Sequence, residues 1–283
     1  VYSDTNCARL SQLFEQGLHL GAIYRDEAQT RIARHVESGM DGAWKSDSEP
    51  WKLVAFRDWY ACRRASSKLV PPHVEEVAAE LDSAAARNMH AIFEGGAPHT
   101  RQAESTREEA LRLGIGRMLN LIVERLERPD GRLYLYSGHD WTCTPLLMAV
   151  ARRDEPLLDE WPPFCSSIAF ELWSSRPDDE ALPHWASKGM PSAADDGRYV
   201  RVVWNGQPIS LRNAEQGQEV VSLADFRRLV EPYRVIDFER ECRPAAPPRP
   251  HETEDHHRPI GLGDEDDDVP APPPAVAMPA YNK

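Results

Sequence analysis

The sequence contains no run approaching about eighteen apolar residues, so no part of it is fit to cross a bilayer as a helix. It also lacks an excess of positive charge. Its 46 acids against 33 bases give a net charge of −13. A general nucleic-acid binder needs a basic face for phosphates, and this balance excludes one. Cysteine is sparse and scattered, at Cys7, Cys62, Cys143, Cys165 and Cys242, with no Cys-x-x-Cys pair. That excludes a zinc ribbon and a dense disulfide framework; one or two disulfides, with at least one thiol left over, stay open. No Gly-x-Ser-x-Gly elbow surrounds Ser166-Ser167, so serine-hydrolase chemistry has no support. Nor does a signal-like segment follow Val1. The opening Val1-Tyr2-Ser3-Asp4-Thr5-Asn6 reads as the middle of a longer chain, and the compartment is not legible.

What is present suits a globular protein. With 283 residues, 41% of them hydrophobic, the chain can bury the core of one large domain or two modest ones. Composition divides it into a mostly helical region over 1–100, an α/β portion over 101–240 and a tail over 241–283. The tail holds nine acids, four bases and ten of the 24 prolines, including the run Asp264-Glu265-Asp266-Asp267-Asp268. Such a stretch buries too little apolar surface to offset the entropy of ordering it, so we expect disorder there. His251, His256 and His257 lie among its acids and could bind a metal; a solvated tail is the preferred reading.

Apolar spacing predicts helices over 7–37, over Trp51–Arg64, and from Pro71-Pro72 along Val74, Val77, Leu81, Ala85, Met89 and Ile92. The capping box Ser105-x-x-Glu108 predicts the start of another, with Leu111, Ile115, Leu119, Ile122 and Leu126 on one face. Pro129-Asp130-Gly131 turns the chain into a short buried-strand pattern, Leu133-Tyr134-Leu135-Tyr136, followed by a helix over Thr142–Arg152. Strands are expected at Ser167–Trp173, Tyr199–Trp204 and, after an Asn205-Gly206 turn, Ile209–Leu211. Ser222 should cap a last helix to Val230. The alternation is that of an α/β fold.

Chemistry concentrates at Tyr136-Ser137-Gly138-His139-Asp140. A strand ending in glycine delivers the next side chains to the carboxyl edge of a sheet, where open α/β folds bind ligands. Gly138 allows close backbone approach or positive φ. His139 can carry positive charge for an anionic group, and the Asp140 carboxyl can act as a general acid. The following helix would aim its first amides at the same place. The plain alternative is that Asp140 caps that helix while His139 satisfies a backbone group. His73, His90 and His99 have spacings that match no metal motif and read as surface or cap histidines; Trp51, Trp59 and Tyr60 read as cap core.

Leu135-Tyr136-Ser137-Gly138-His139-Asp140-Trp141-Thr142 resembles the His-Asp segment of the histidine acid phosphatases, with Trp141 where the family has threonine. Three further blocks are similar in order: Trp161-Pro162-Pro163 with the strand after it, Val200 to Ile209 around Asn205-Gly206, and Ser222-Leu223-Ala224-Asp225-Phe226. Upstream, Cys7-Ala8-Arg9-Leu10 and Asp58 to Arg64 resemble the helical cap of the lysophosphatidic-acid phosphatase-like branch. That branch has His-Gly where this chain has Ser66-Ser67. The likeness runs from about residue 7 to 235.

The resemblance implies a histidine-phosphatase-like three-layer sandwich with a mixed sheet and a helical cap, its first strand missing here. It implies hydrolysis of a small-molecule phosphomonoester, a lipid or inositol phosphate being the candidates, through a phosphohistidine. His139 would bind the phosphoryl group beside Gly138, and Asp140 would protonate the leaving alcohol; no cofactor or metal takes part. The family's nucleophile lies in an Arg-His-Gly-x-Arg-x-Pro motif that this sequence lacks. The pair Arg34-His35 stands in a helical context that does not match it. The expectation is therefore a family member without its nucleophile, inactive as it stands. The other reading is a non-catalytic phosphate-binding or interaction protein on the same fold.

Overall fold

The computed structural model describes residues 7–23, 30–32, 51–94, 101–174, 197–212, 214 and 219–244. The described residues from Cys7 to Pro244 belong to one compact unit. The expected disordered tail, with His251, His256 and His257, lies outside the described residues, as do His35 and His99.

The apolar stripes become helices that share a core. Helix α1 is Ala8–Ile23, α2 is Trp51–Ala65, α3 is Pro72–Glu75 and α4 is Ala78–Glu94. The stripe expected to run unbroken from Val74 to Ile92 is interrupted. Val77 N–H donates to Val74 O at 3.2 Å and Glu80 N–H to Val77 O at 3.1 Å, and these tighter turns separate α3 from α4. Val74 and Val77 fill a small second core with Ile32, Phe56, Leu81 and Ala84.

The long helix α5, Arg101–Glu127, starts a turn earlier than its capping box predicts, leaving Ser105 exposed inside it. Arg101, Gln102, Ala103 and Glu104 are all good helix formers, so the helix extends back through them. Its buried face, including Ala110, Leu111, Ile115, Leu119 and Val123, joins the main core with Leu10, Phe14, Met89 and Phe93. The Phe14 and Phe93 rings meet edge to face at 5.1 Å. Helix α6, Asp140–Val150, buries Leu146 to Val150 in the same core.

The predicted buried strand at Leu133–Tyr136 does not form. Residues 132–139 take up no regular secondary structure and pair with no described strand, with Leu133 83% and Leu135 84% exposed. A strand is completed by its neighbour, and no described strand lies beside this one. Its anchor is local instead. Tyr134 OH donates to Asp130 Oδ2 at 2.6 Å, and the Arg125 guanidinium lies 4.6 Å from the centre of the Tyr134 ring.

The sheet is antiparallel among the described residues, where a mixed sheet was expected. β1 is Ile168–Ser174, β2 is Arg198–Trp204, β3 is Gln207–Pro208 and β4 is Val220–Ser222. β2 pairs with β1, Phe170 opposite Val202, and on its other edge with both β3 and β4. Asn205 (φ 48°) and Gly206 (φ 82°) make the tight turn between β2 and β3 that their sequence predicts. Beyond Pro208, which has no N–H to give a ladder, Ile209 N–H donates to Val202 O at 3.0 Å and Leu211 forms an isolated bridge to Ala151, so the expected strand at Ile209–Leu211 is reduced to separate contacts with two different partners. Helix α7, Leu223–Val230, is capped by Ser222 Oγ, which accepts from Asp225 N–H at 3.0 Å. Phe226 beneath it meets Phe170 of β1 at 6.0 Å. A short helix α8, Phe238–Glu241, leads to Cys242, which is disulfide-bonded to Cys7 at the foot of α1. Cys62, Cys143 and Cys165 are free thiols. No helix among the described residues is long and apolar enough to cross a membrane.

Candidate functional site

His139 and Asp140 sit at the start of α6, where an extended segment turns into a helix. His139 is the residue before the first helical turn, with φ −118° and ψ 170°. Its carbonyl accepts from Thr142 N–H at 2.8 Å and Cys143 N–H at 3.0 Å, and its own N–H donates to Thr142 Oγ1 at 3.4 Å. Gly138 matters for this turn because a Cβ there would lie 3.2 Å from Thr142 Cβ. Close approach, not positive φ, is the freedom used. The imidazole of His139 is exposed, at the mouth of the helix.

Asp140 is held more tightly. Its Oδ1 accepts from the N–H of Trp141 at 2.8 Å, and its Oδ2 accepts from Trp161 Nε1–H at 3.0 Å. The carboxylate is half-buried and fixed from two directions, by its own helix and by the segment leading to β1. Both parts of the plain alternative have a counterpart: Asp140 accepts a first-turn amide, and the backbone of His139 closes the turn. The additional bond from Trp161 is more than a cap requires.

Three neighbours were not assigned a site role by the sequence. Asp58, on α2, lies close enough to Asp140 to feel its charge: burial first, then the neighbouring Asp140, push the Asp58 carboxyl above its ordinary range, against the pull of Arg57. Arg57 is buried and donates from Nε to Asp82 Oδ1 at 2.7 Å and from Nη1 to Asp58 Oδ1 at 3.3 Å. Its guanidinium carbon lies 5.5 Å from the centre of the Trp161 ring and 5.9 Å from that of Phe164. Cys143, one turn into α6, has its thiol pushed up by burial and then by Asp140, which keeps it protonated and unsuited to attack. Trp161 and Asp58 both fall in blocks that carry the family resemblance. Arg57 gave no signal, since apart from the adjacent Asp58 its partners Asp82, Trp161 and Phe164 are 25 and more residues away in sequence.

The other candidates stand apart. Trp59 stacks on Phe56 at 5.5 Å and Tyr60 donates to Glu75 Oε2 at 3.2 Å, both beside the second core. His73 Nε2 and His90 Nε2 are buried without partners. Burial, and then Arg107, lowers the pKa of His90 to about 4. Among the described residues no group of three or more His, Cys, Asp or Glu side chains converges as a metal site would require.

No family model matches the chain. Among curated proteins it is 30% identical over 101 residues to the lysophosphatidic acid phosphatase type 6 of Pongo abelii and to that of Homo sapiens, and 29% identical to that of Bos taurus. In each case the match covers 31% of this chain and 23% of the relative. The likeness to phosphatases is thus distant, and spans less than a quarter of the length of those relatives.

Proposed function

We propose that the chain is part of a histidine acid phosphatase, a phosphomonoesterase in which Asp140 is the general acid and His139 a phosphoryl ligand. The observation that carries this reading is the Asp140 carboxylate, held by Trp161 and the Trp141 amide at the N-terminal end of α6, beside an exposed imidazole. The distant identity with lysophosphatidic acid phosphatases and the ordered sequence blocks support it. In this reading the fold is the family's three-layer sandwich with α1 to α4 as its cap region.

The chemistry follows from the positions. A phosphoryl group at the mouth of α6 meets the positive end of the helix and the exposed imidazole of His139, whose ring N–H can donate to its oxygens. The Asp140 carboxyl gives its proton to the departing alkoxide as the phosphorus–oxygen bond breaks and a phosphorus–nitrogen bond forms to the nucleophilic histidine of the family motif, giving a phosphohistidine. As a carboxylate it then takes a proton from the water that releases phosphate. No nucleophilic histidine with the family motif occurs in these 283 residues, so this chain alone does not turn over. Substrates are small phosphomonoesters, lipid or inositol phosphates among them.

The test is p-nitrophenyl phosphate turnover in mild acid, by this chain and by a version extended with the upstream gene sequence. The extended protein is expected to turn over, and Asp140→Asn to reduce its rate roughly 100- to 10,000-fold. An extended protein with no turnover, indifferent to Asp140→Asn, overturns the reading. A second reading, phosphate binding without hydrolysis, is favoured by the missing Arg-His-Gly motif. Inorganic phosphate that binds without any turnover of the extended protein would establish it.

A further inference from the structure

We propose that Arg57 is a positioning residue for Asp140, acting through the indole of Trp161. The contacts form one continuous line. Asp82 of α4 fixes Arg57 Nε at 2.7 Å, and Asp58 receives Nη1 at 3.3 Å. The guanidinium, with its side chain 7% exposed, faces the Trp161 ring at 5.5 Å, and Trp161 Nε1–H donates to Asp140 Oδ2 at 3.0 Å. A cation against the face of an indole draws electron density from the ring and makes its N–H a stronger donor. A buried charge is felt further than a solvated one, so the effect is not lost to water. Trp161, itself 2% exposed, can transmit it because its ring is packed in the main core and cannot turn away.

The arrangement also explains why a buried arginine is tolerated here. Two carboxylates neutralise it, and two aromatic rings, Trp161 and Phe164, cover its faces. Arg57 therefore ties α2, α4 and the 161–164 segment to a single carboxylate on α6. Its role for catalysis rests on Asp140 being the general acid, but the coupling between Arg57 and Asp140 does not.

Hydrogen exchange of the Trp161 indole N–H, followed by NMR at neutral pH, tests the coupling without any turnover. Trp161→Phe identifies the resonance, and Asp140→Asn gives its position when the acceptor is weakened. Arg57→Met is expected to raise exchange at Trp161 roughly tenfold and move its resonance towards that of Asp140→Asn, with the Trp173 and Trp204 indoles unchanged. Arg57→Lys, which keeps the charge but not the fork, should recover part of the protection. Should Arg57→Met not fold, Asp82→Ala removes the acceptor that fixes Nε and should shift the same resonance in the same direction. No change at Trp161 in a folded variant overturns the proposal. So does a uniform rise across all indoles, since that would reflect a purely structural role.

Discussion

Trp161 gives its one donor to Asp140, so Trp161→Phe removes that hydrogen bond together with the five-membered ring that carries it, in a side chain buried in the core. Water can reach the half-buried carboxylate and soften the loss of the bond, but the cavity left by the missing ring adds to it, so a stability loss of about 2–4 kcal/mol is expected on urea denaturation. A loss below about 1 kcal/mol would mean that neither the bond nor the buried ring holds this segment in place. His90 offers a second test at this scale. Its folded pKa of about 4 lies below the ordinary 6.5 because burial, then Arg107, disfavours the cation. A depressed base stabilises the fold above pH 6.5, and that contribution is lost as pH falls towards 4. Between about pH 7 and about pH 4.5 the protein should lose about 2 kcal/mol more than His90→Gln does, measured by urea unfolding at both pH values.

At the scale of elements, Gly17 sets the distance between α1 and α4. A Cβ there would lie 2.1 Å from the Ile92 carbonyl oxygen, a backbone atom that cannot swing aside. Helix propensity alone would make Gly17→Ala stabilising by about 1 kcal/mol. Overpacking at a helix contact costs about 1–3 kcal/mol or more, so the net change should be a lower melting temperature. A raised one would mean that the two helices move apart freely.

Elements also show what the sequence could and could not tell. The Ser222 cap and the Asn205-Gly206 turn were legible because each is decided by residues in contact along the chain. The capping box at Ser105 misled, since helix-forming residues upstream carry the helix past it. Leu133-Tyr134-Leu135-Tyr136 has the composition of a strand, but strands are made by partners, and composition cannot say whether one is present. The site was legible in the same proportion. His139 and Asp140 announce themselves as neighbours and Trp161 stands in a block of the family resemblance, whereas Arg57 and Asp82 join the site through folding and leave no local pattern. The exposed Leu133 and Leu135 of this segment leave apolar surface of the kind that promotes association between chains.

For the whole molecule, the long-range tie is Cys7–Cys242, 235 residues apart and buried in the main core. Arg9 N–H donates to the Cys242 carbonyl at 3.0 Å, so the two segments are also joined by backbone. Reduction should lower stability by about 2–4 kcal/mol, chiefly by freeing the unfolded chain. Comparing urea midpoints with and without a thiol reductant, and in Cys7→Ser, measures it. Midpoints unchanged by both would mean that the bond adds nothing to the packing around it.

The cystine makes residues 7–242 a closed covalent ring. A protease that cuts this ring once releases nothing: the product migrates as a single species until a reductant separates it into two fragments. A nicked protein would therefore retain every residue of the site, including α2 with Arg57 and α6 with Asp140, on one molecule. Opening the ring at a surface turn and fusing residue 7 to residue 242 through a short linker would give the same circle a new beginning and end.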